Sequence, residues 1–344
     1  MESNDFPYLF LNVVDTLGSR QDYFQGTGGN VSLKVNDAQM VIKSSGMRIK
    51  DMVTDTGVVT VAHTTISKYF YDDIDCAREA EGNAVIQQSV TTHTKMRPSI
   101  ETGFHTLLHT AVIHSHSVYV NLLTCSSDFV FLVNKLFLGR GISYSVIVYA
   151  TPGYFLTHKV KEALALTTRC PHVVFLKNHG VIVSADTLDD AIILHETVNE
   201  IVRTYFSLHT DYPRAQLRHI QDGVSQSATV YMKDFVQHNK DYFLHIQDCM
   251  LFPDLVVFCR DMLVLDTGDR LKKQAKIVVD LQEGTITYYT NNKEAHIIEE
   301  NLVAWAYLLT EMKKHTLKPV FIGEQEARVL DELESEKYRK KLIQ

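Results

Sequence analysis

The 344-residue chain is poor in tryptophan (one), cysteine (five) and proline (seven). The cysteines (Cys76, Cys125, Cys170, Cys249 and Cys259) are odd in number, scattered, and form no CxxC pair. That spacing excludes a thiolate zinc ribbon, argues against a disulfide framework, and makes a reducing cytoplasmic compartment the expectation. Positive charge is not in excess: 34 Lys and Arg stand against 41 Asp and Glu, a net charge of -7 and a pI near 6.1. Broad binding to nucleic acid, which depends on dense Lys and Arg, is therefore not expected. The first residues, Met-Glu-Ser-Asn-Asp, carry no basic segment followed by an apolar one, so no secretory signal is read there. Neither an internal repeat nor a low-complexity tract is evident. What is present is a 45% hydrophobic chain, enough for a substantial core. At roughly 150 residues per domain, its length suits one large or two ordinary domains.

Residues 102–127 contain no Asp, Glu, Lys or Arg, and a stretch of that length could span a bilayer. It carries His105, His109, His114 and His116, which a lipid-facing helix would hold at heavy cost. The stretch reads as a protein interior that uses imidazole, and no membrane association is expected. Around it, periodicity predicts a helix over 5–17, capped by Asn4 or Asp5 with Pro7 in its first turn. Strands follow over 31–35, 40–43 and 57–62, with a helix over 75–89 in a less regular region. A short helix over 100–109 with Ser99 as cap comes next, then a strand over 111–118 and a helix from about 121. Further on, the pattern predicts a helix over 157–169, strands over 173–176 and 181–183, and an amphipathic helix over 188–205. Beyond about residue 210 the character changes. Strands near 255–258, 262–265, 276–280 and 285–289, with helices near 294–313 and 324–341, suggest an α+β extension; Gly268-Asp269 and Glu283-Gly284 are turn signals. The expected domains are therefore 1–210 and 211–344, with the boundary in the 210–240 region.

The sharpest chemical feature is Val112-Ile113-His114-Ser115-His116. Residues i and i+2 of a strand share a face, so His114 and His116 would project side by side. Two imidazoles so placed match the reach of a divalent cation, with Zn–N near ~2.0–2.1 Å; a pair of hydrogen-bonded histidines in a polar cleft is the competing reading. Lys177-Asn178-His179-Gly180 places another histidine at a strand end before a turn, where a plain turn histidine competes. Glu101, among uncharged neighbours, is a candidate acid/base, or simply a partner for a helix dipole. His105 and His109, four apart on one helical face, form a rival metal pair ranked below His114 and His116. Finally, Gly26-Thr27-Gly28-Gly29-Asn30, Ser44-Ser45-Gly46 and Ser99 combine glycine backbone with neutral donors. Such turns can seat a phosphate, although neither a P-loop nor a dinucleotide fingerprint is present.

Taken in order, GTGGNVSLKV (26–35), IKSSGM (42–47), RPSIETGFH (97–105), VIHSHS (112–117) and LKNHGVIVSADTLDDAIILHE (176–196) resemble the class II aldolase/adducin family, the group of fuculose-phosphate and rhamnulose-phosphate aldolases. The resemblance covers about residues 5–207. RPSIE and LFPDLVVF (251–258) are also similar to the aldolase portion of some bifunctional aldolase/dehydrogenase proteins. The resemblance implies a three-layer α/β/α sandwich around a mainly antiparallel sheet, assembled as a homotetramer with sites near subunit interfaces. It implies ligation of Zn2+, or another divalent metal, by His114, His116 and His179, with Glu101 as acid/base. Gly29, Asn30, Ser45, Gly46 and Ser99 would hold the phosphate of a sugar phosphate. The implied reaction is cleavage of a ketose 1-phosphate to dihydroxyacetone phosphate and a small aldehyde through an enediolate. Pentulose-phosphate 4-epimerases and sugar-phosphate dehydratases share this chemistry and compete with that reading. A non-enzymatic adducin-like binding module competes as well, although adducin-type members lack the metal histidines. One departure is Ile100, where family aldolases often have a second serine. Family aldolases also often use a neighbouring subunit's tyrosine as proton donor, and Tyr144, Tyr149 and Tyr154 lie in the corresponding region.

Overall fold

The computed structural model describes residues 8–54, 56–72, 78–92, 94–260, 262–265 and 275–343. They divide into two units, one of residues up to 124 together with 128–208, the other of 125–127 together with 209–343.

In the first unit, seven strands make one sheet: β1 (Asn30–Lys34), β2 (Gln39–Lys43), β3 (Val58–Ala62), β4 (Ala111–Ser115), β5 (Tyr144–Ile147), β6 (Val173–Leu176) and β7 (Gly180–Ala185). Their order is β3-β2-β1-β4-β7-β6-β5. Every neighbouring pair is antiparallel except β5 with β6. Central β4 and β7 are buried along their whole length, which is why both read as mainly apolar runs rather than alternating ones.

Helices cover both faces. On one side lie α2 (His63–Asp72), α3 (Glu79–Gln88), α4 (Thr102–Leu107) and α7 (Tyr154–Ala165). They close a core of Met40, Ile42, Val59, Val61, Ile66, Phe70 and Tyr154, beside a second cluster of Phe104, Val112, Leu156, Val174 and Ile182. On the other side, α8 (Leu188–Tyr205) packs on β4 and β7 beside α5 (Val118–Thr124), while α1 (Leu11–Leu17) lies on α8 and α6 (Phe129–Phe137) on α5. Thr187 caps α8 by accepting from the Asp190 N–H at 3.1 Å, and Asp189 and Asp190 stand in its first turn, where acidic charge complements the helix dipole. The charge-free stretch 102–127 is thus broken into α4, β4 and α5. Among the described residues no helix is long and apolar enough to cross a membrane.

Several boundaries differ from those predicted. Helix α2 occupies 63–72, where no element is predicted. Helix α4 begins at Thr102, so Glu101 is its N-cap and Ser99 precedes it in a turn. Strand β4 stops at Ser115, and α5 starts at Val118. Helix α7 runs from Tyr154 to Ala165 rather than over 157–169. Helix α1 begins at Leu11; the expected caps Asn4 and Asp5, with Pro7, lie outside the described residues, as does Gly268-Asp269.

The second unit has a sheet of β8 (Leu217–Gln221), β9 (Val224–Ser227), β10 (Met262–Leu265), β11 (Ile277–Asp280) and β12 (Thr285–Tyr288), ordered β10-β11-β12-β9-β8. Its helices are α9 (Val230–His238), α10 (Lys240–Leu244), α11 (Pro253–Cys259), α12 (Asn292–Lys314), α13 (Glu324–Glu332) and α14 (Glu334–Ile343). The expected strand at 255–258 is instead part of helix α11: Pro253 occupies its first turn and every residue of it is buried. A short unbroken apolar run does not discriminate strand from buried helix, and proline at the helix start is the signal that does. The helix expected over 324–341 is divided at Leu333. Strands β8 and β9 fall inside the region read as a boundary; β8 is mostly exposed and shows little apolar alternation. Long α12 centres this unit, its Trp305 Nε1 donating to Cys249 O at 2.9 Å amid Phe235, Tyr242 and Phe243.

Candidate metal centre

Asn30 opens β1 and pairs in register with His114 on β4, whose other neighbour is Ile182 on β7. His114 therefore sits mid-sheet, on the face covered by α4, where the Phe104 ring meets it edge-on at 5.7 Å. Ser115 points the opposite way, to His195 of α8, with Oγ and Nε2 2.7 Å apart. His116 lies one residue past the strand, so strand alternation alone does not position it. His179 sits in the tight connection from β6 to β7, its N–H bonded to Leu176 O at 3.2 Å. Gly180 follows because nothing larger fits: a Cβ there would lie 2.2 Å from Ser115 O.

These elements bring the three imidazoles together. Ring centroids are separated by 5.0 Å (His114 to His116), 4.8 Å (His114 to His179) and 5.0 Å (His116 to His179). All three are buried, and one ring nitrogen from each lies within 4.8 Å of the others. His114 Nε2 and His116 Nε2 are 3.2 Å apart. Tetrahedral zinc with Zn–N near ~2.0–2.1 Å requires nitrogens about 3.4 Å apart, so the donor set fits a small divalent cation. The tautomer fits as well. His114 Nδ1 lies 3.1 Å from Val181 O, which only an N–H can satisfy, leaving Nε2 with its lone pair turned to its neighbours. Burial, reinforced by His179 and His116, drives the His114 pKa well down, and a neutral ring is what a cation requires.

Glu101 closes the group. Its Oε2 is 3.4 Å from His114 Nε2 and its Oε1 is 3.5 Å from His179 Nε2. The Asn30 amide donates to Oε2 at 2.6 Å, orienting a carboxylate in a residue only 5% exposed. The Glu101 N–H donates to Ser99 Oγ at 3.2 Å, so Ser99 shapes the turn that presents the carboxylate.

The glycine and hydroxyl turns also assemble. Ser45 N–H donates to Arg97 O at 2.9 Å, and Ser44 bridges Pro98, setting the 44–46 turn beside Ser99. Gly29 has φ 73°, and a Cβ there would meet the Phe24 ring at 2.5 Å and His114 O at 2.8 Å. Lys43, which sequence reasoning missed, ties the two turns together, its ammonium donating to Thr27 O at 3.0 Å and to Met47 O at 2.6 Å. The available signal was a lysine ending an apolar strand directly before Ser-Ser-Gly. Also missed was Asn121, whose amide reaches His116 O at 3.4 Å and His179 O at 3.5 Å.

The rival pair does not converge. His105 is fully buried against Ser32 Oγ at 2.7 Å, whereas His109 stacks on His172 at 4.4 Å. Of the tyrosines, Tyr154 is buried in the core and accepts from the Arg78 N–H at 3.3 Å, and the Tyr144 hydroxyl donates to Asn134 at 2.8 Å. Tyr149 stands in the loop after β5.

A seven-stranded sheet between two helical layers, with a histidine triad where β4 ends and β7 begins, defines an α/β/α protein with a candidate metal site. Residues 11–206 match the family described as Class II Aldolase and Adducin N-terminal domain, and the chain belongs to that family. The chain is similar to an L-fuculose phosphate aldolase of Methanocaldococcus jannaschii, 26% identical over 200 residues, 56% of this chain and 90% of that protein. It is also similar to a 3-oxo-tetronate 4-phosphate decarboxylase of Haemophilus influenzae, 23% identical over 197 residues, 54% of this chain and 80% of that protein. Among solved structures, the N-terminal class II aldolase domain of a conserved protein from Thermoplasma acidophilum aligns with TM-score 0.49 and 21% identity, covering 60% of this chain and 93% of that one.

Proposed function

We propose that the chain is a divalent-metal-dependent lyase of the class II aldolase type that cleaves a ketose 1-phosphate to dihydroxyacetone phosphate and a small aldehyde. The observation that carries this reading is the convergence of three buried imidazoles on one point beside a buried carboxylate. His114, His116 and His179 hold the cation, zinc in the first instance. When bound, the cation supplies Lewis-acid polarisation of the substrate's carbonyl and hydroxyl oxygens. Glu101 moves the proton between the substrate hydroxyl and the carbon left by C–C cleavage, and Asn30 holds its carboxylate in place. Gly29, Asn30, Ser45, Gly46 and Ser99 seat the phosphate through N–H and hydroxyl donors. Residues 1–210 form the catalytic domain, 211–344 are a C-terminal α+β extension, and a homotetramer is the working assembly.

The decarboxylase relative favours a second reading in which the same site removes carbon dioxide from a 3-oxo acid phosphate. Epimerisation and dehydration of sugar phosphates would use the same cation and carboxylate. The deciding experiment incubates zinc-loaded protein with fuculose, rhamnulose, ribulose and xylulose 1-phosphates and with a 3-oxo acid 4-phosphate. Triose phosphate, aldehyde and carbon dioxide are measured together. Stoichiometric triose phosphate and aldehyde from one ketose are expected. Carbon dioxide with an equal amount of triose phosphate from the oxo acid, and no aldehyde from any ketose, selects the second reading; no turnover of any of them, with no zinc retained, returns the adducin-like binding module.

A further inference from the structure

His114 has register partners on both sides, and His179 is fixed in the β6–β7 connection. His116 lies outside both the strand and the hairpin. Its main chain is held by a strap, residues 20–24, that runs across the outgoing chain. The His116 N–H donates to Tyr23 O at 3.0 Å and the Val118 N–H to Asp22 O at 2.9 Å. Both are shorter than the contact of the Asn121 amide to the His116 carbonyl at 3.4 Å.

One side chain of the strap ties it to the segment just after His116. The Asp22 carboxylate, in a residue only 7% exposed, accepts from Arg20 Nε at 2.9 Å, from Arg20 Nη2 at 2.7 Å and from the Tyr119 hydroxyl at 3.0 Å. Asp22 thus grips residue 118 by its carbonyl and residue 119 by its carboxylate. Tyr23 is braced separately: its hydroxyl donates to Glu196 at 3.0 Å, Arg20 lies 4.0 Å over its ring, and its edge meets His195 at 4.8 Å. His195 holds Ser115, the residue between the two histidines.

We propose that Asp22 is the positioning residue for His116, acting through Arg20 and Tyr119 to set the affinity and geometry of the cation site; this rests on the reading of His114, His116 and His179 as cation ligands. Charge-assisted bonds to a buried carboxylate are among the strongest available to a side chain. Their loss frees the strap while β4 and the β6–β7 turn keep the other two rings in place. A metal bond near ~2 Å tolerates little displacement, and supporting groups of this kind typically contribute about 10–100-fold in metal affinity.

The test uses the whole chain with Co2+ and Zn2+, comparing wild type with Asp22→Ala, Asp22→Asn and Tyr119→Phe, well below their melting temperatures. Chelator competition gives affinity, the visible Co2+ spectrum reports ligand geometry, and hydrogen exchange of metal-free protein reads the amides of residues 116 and 118. Asp22→Ala is expected to weaken Co2+ binding by about tenfold or more, with an altered spectrum and faster exchange at 116 and 118. Tyr119→Phe should change all three in the same direction but less. If Asp22→Ala fails to fold, Asp22→Asn and Tyr119→Phe carry the test. Lower melting temperatures with unchanged affinity and spectrum would reduce Asp22 to a structural role and overturn the proposal. Failure of the wild-type chain to bind either metal would instead overturn the cation site itself.

Discussion

At the scale of single residues, burial sets both reactivity and stability. Glu101 is nearly solvent-free, and the Asn30 amide orients its carboxylate. Replacement by glutamine preserves shape and can still accept from Asn30, but cannot transfer a proton. Glu101→Gln should therefore bind metal like the wild type while kcat falls by about 10²–10⁴, the usual contribution of a positioned acid/base; metal content and turnover measured on one preparation check it. Near-wild-type turnover would remove Glu101 from the reaction. The buried histidines predict a pH effect. Burial takes the pKa of His105 and His195 down to about 3, with the nearby charges of Lys34 and Arg20 adding in the same direction. Both rings are neutral in the folded state and gain a proton on unfolding below about pH 6.5. Their contribution is thus complete above about pH 6.5 and is lost as pH falls from there towards 3, by up to about 1.4 kcal/mol per pH unit for each ring. Urea titrations at pH 7, 6 and 5 should show stability decreasing in that order, and a flat profile would contradict the assignment of these rings as neutral.

At the scale of elements, the connections matter as much as the strands. The loop before β1 turns at Gly29, where a positive φ coincides with contact to Phe24 and to the His114 carbonyl. Gly29→Ala meets both obstacles, and strain of this kind costs about 1–3 kcal/mol. The expected result is a stability loss in that range and a raised KM for the phosphorylated substrate, read from denaturation and steady-state kinetics. An alanine variant with unchanged KM would detach this loop from the phosphate. The sequence pattern locates this turn, the HxH strand and α8, because each has a strong local signature. It assigns the wrong type to 255–258, since a short buried run with no alternation suits either element and only Pro253 separates them. It also extends β4 to Val118, because nothing in the uncharged His116-Ser117-Val118 marks where the chain leaves the ladder.

At the scale of the whole molecule, strand order does the assembling. With β1, β4 and β7 adjacent, residues 30, 114 and 182 lie side by side, and the turn before β7 carries residue 179 to the same place. A cation at this junction ties together segments far apart in the chain, so it stabilises the folded state by mass action. At a free concentration of about 100 times Kd the gain is about 2.7 kcal/mol. For a unit of about 200 residues, at about 2–4 °C per kcal/mol, the melting transition should fall by about 5–10 °C on chelation. Differential scanning calorimetry with zinc and with excess chelator measures this directly. Identical transitions would exclude a structural cation at the triad.

Composition, periodicity and ordered motifs determined the class of protein, the strand that bears His114, and the candidates Glu101, His114, His116 and His179, joined as one set by the family resemblance. These are legible because each depends on residue type and short spacing. The packing of chain segments decided the rest. It separated His105 from His109, turned Asn30 onto Glu101, buried Lys43 between two turns, and placed the Asp22 strap over His116. Those relations join residues from distant parts of the chain, and no local pattern encodes which distant groups a sheet will set side by side.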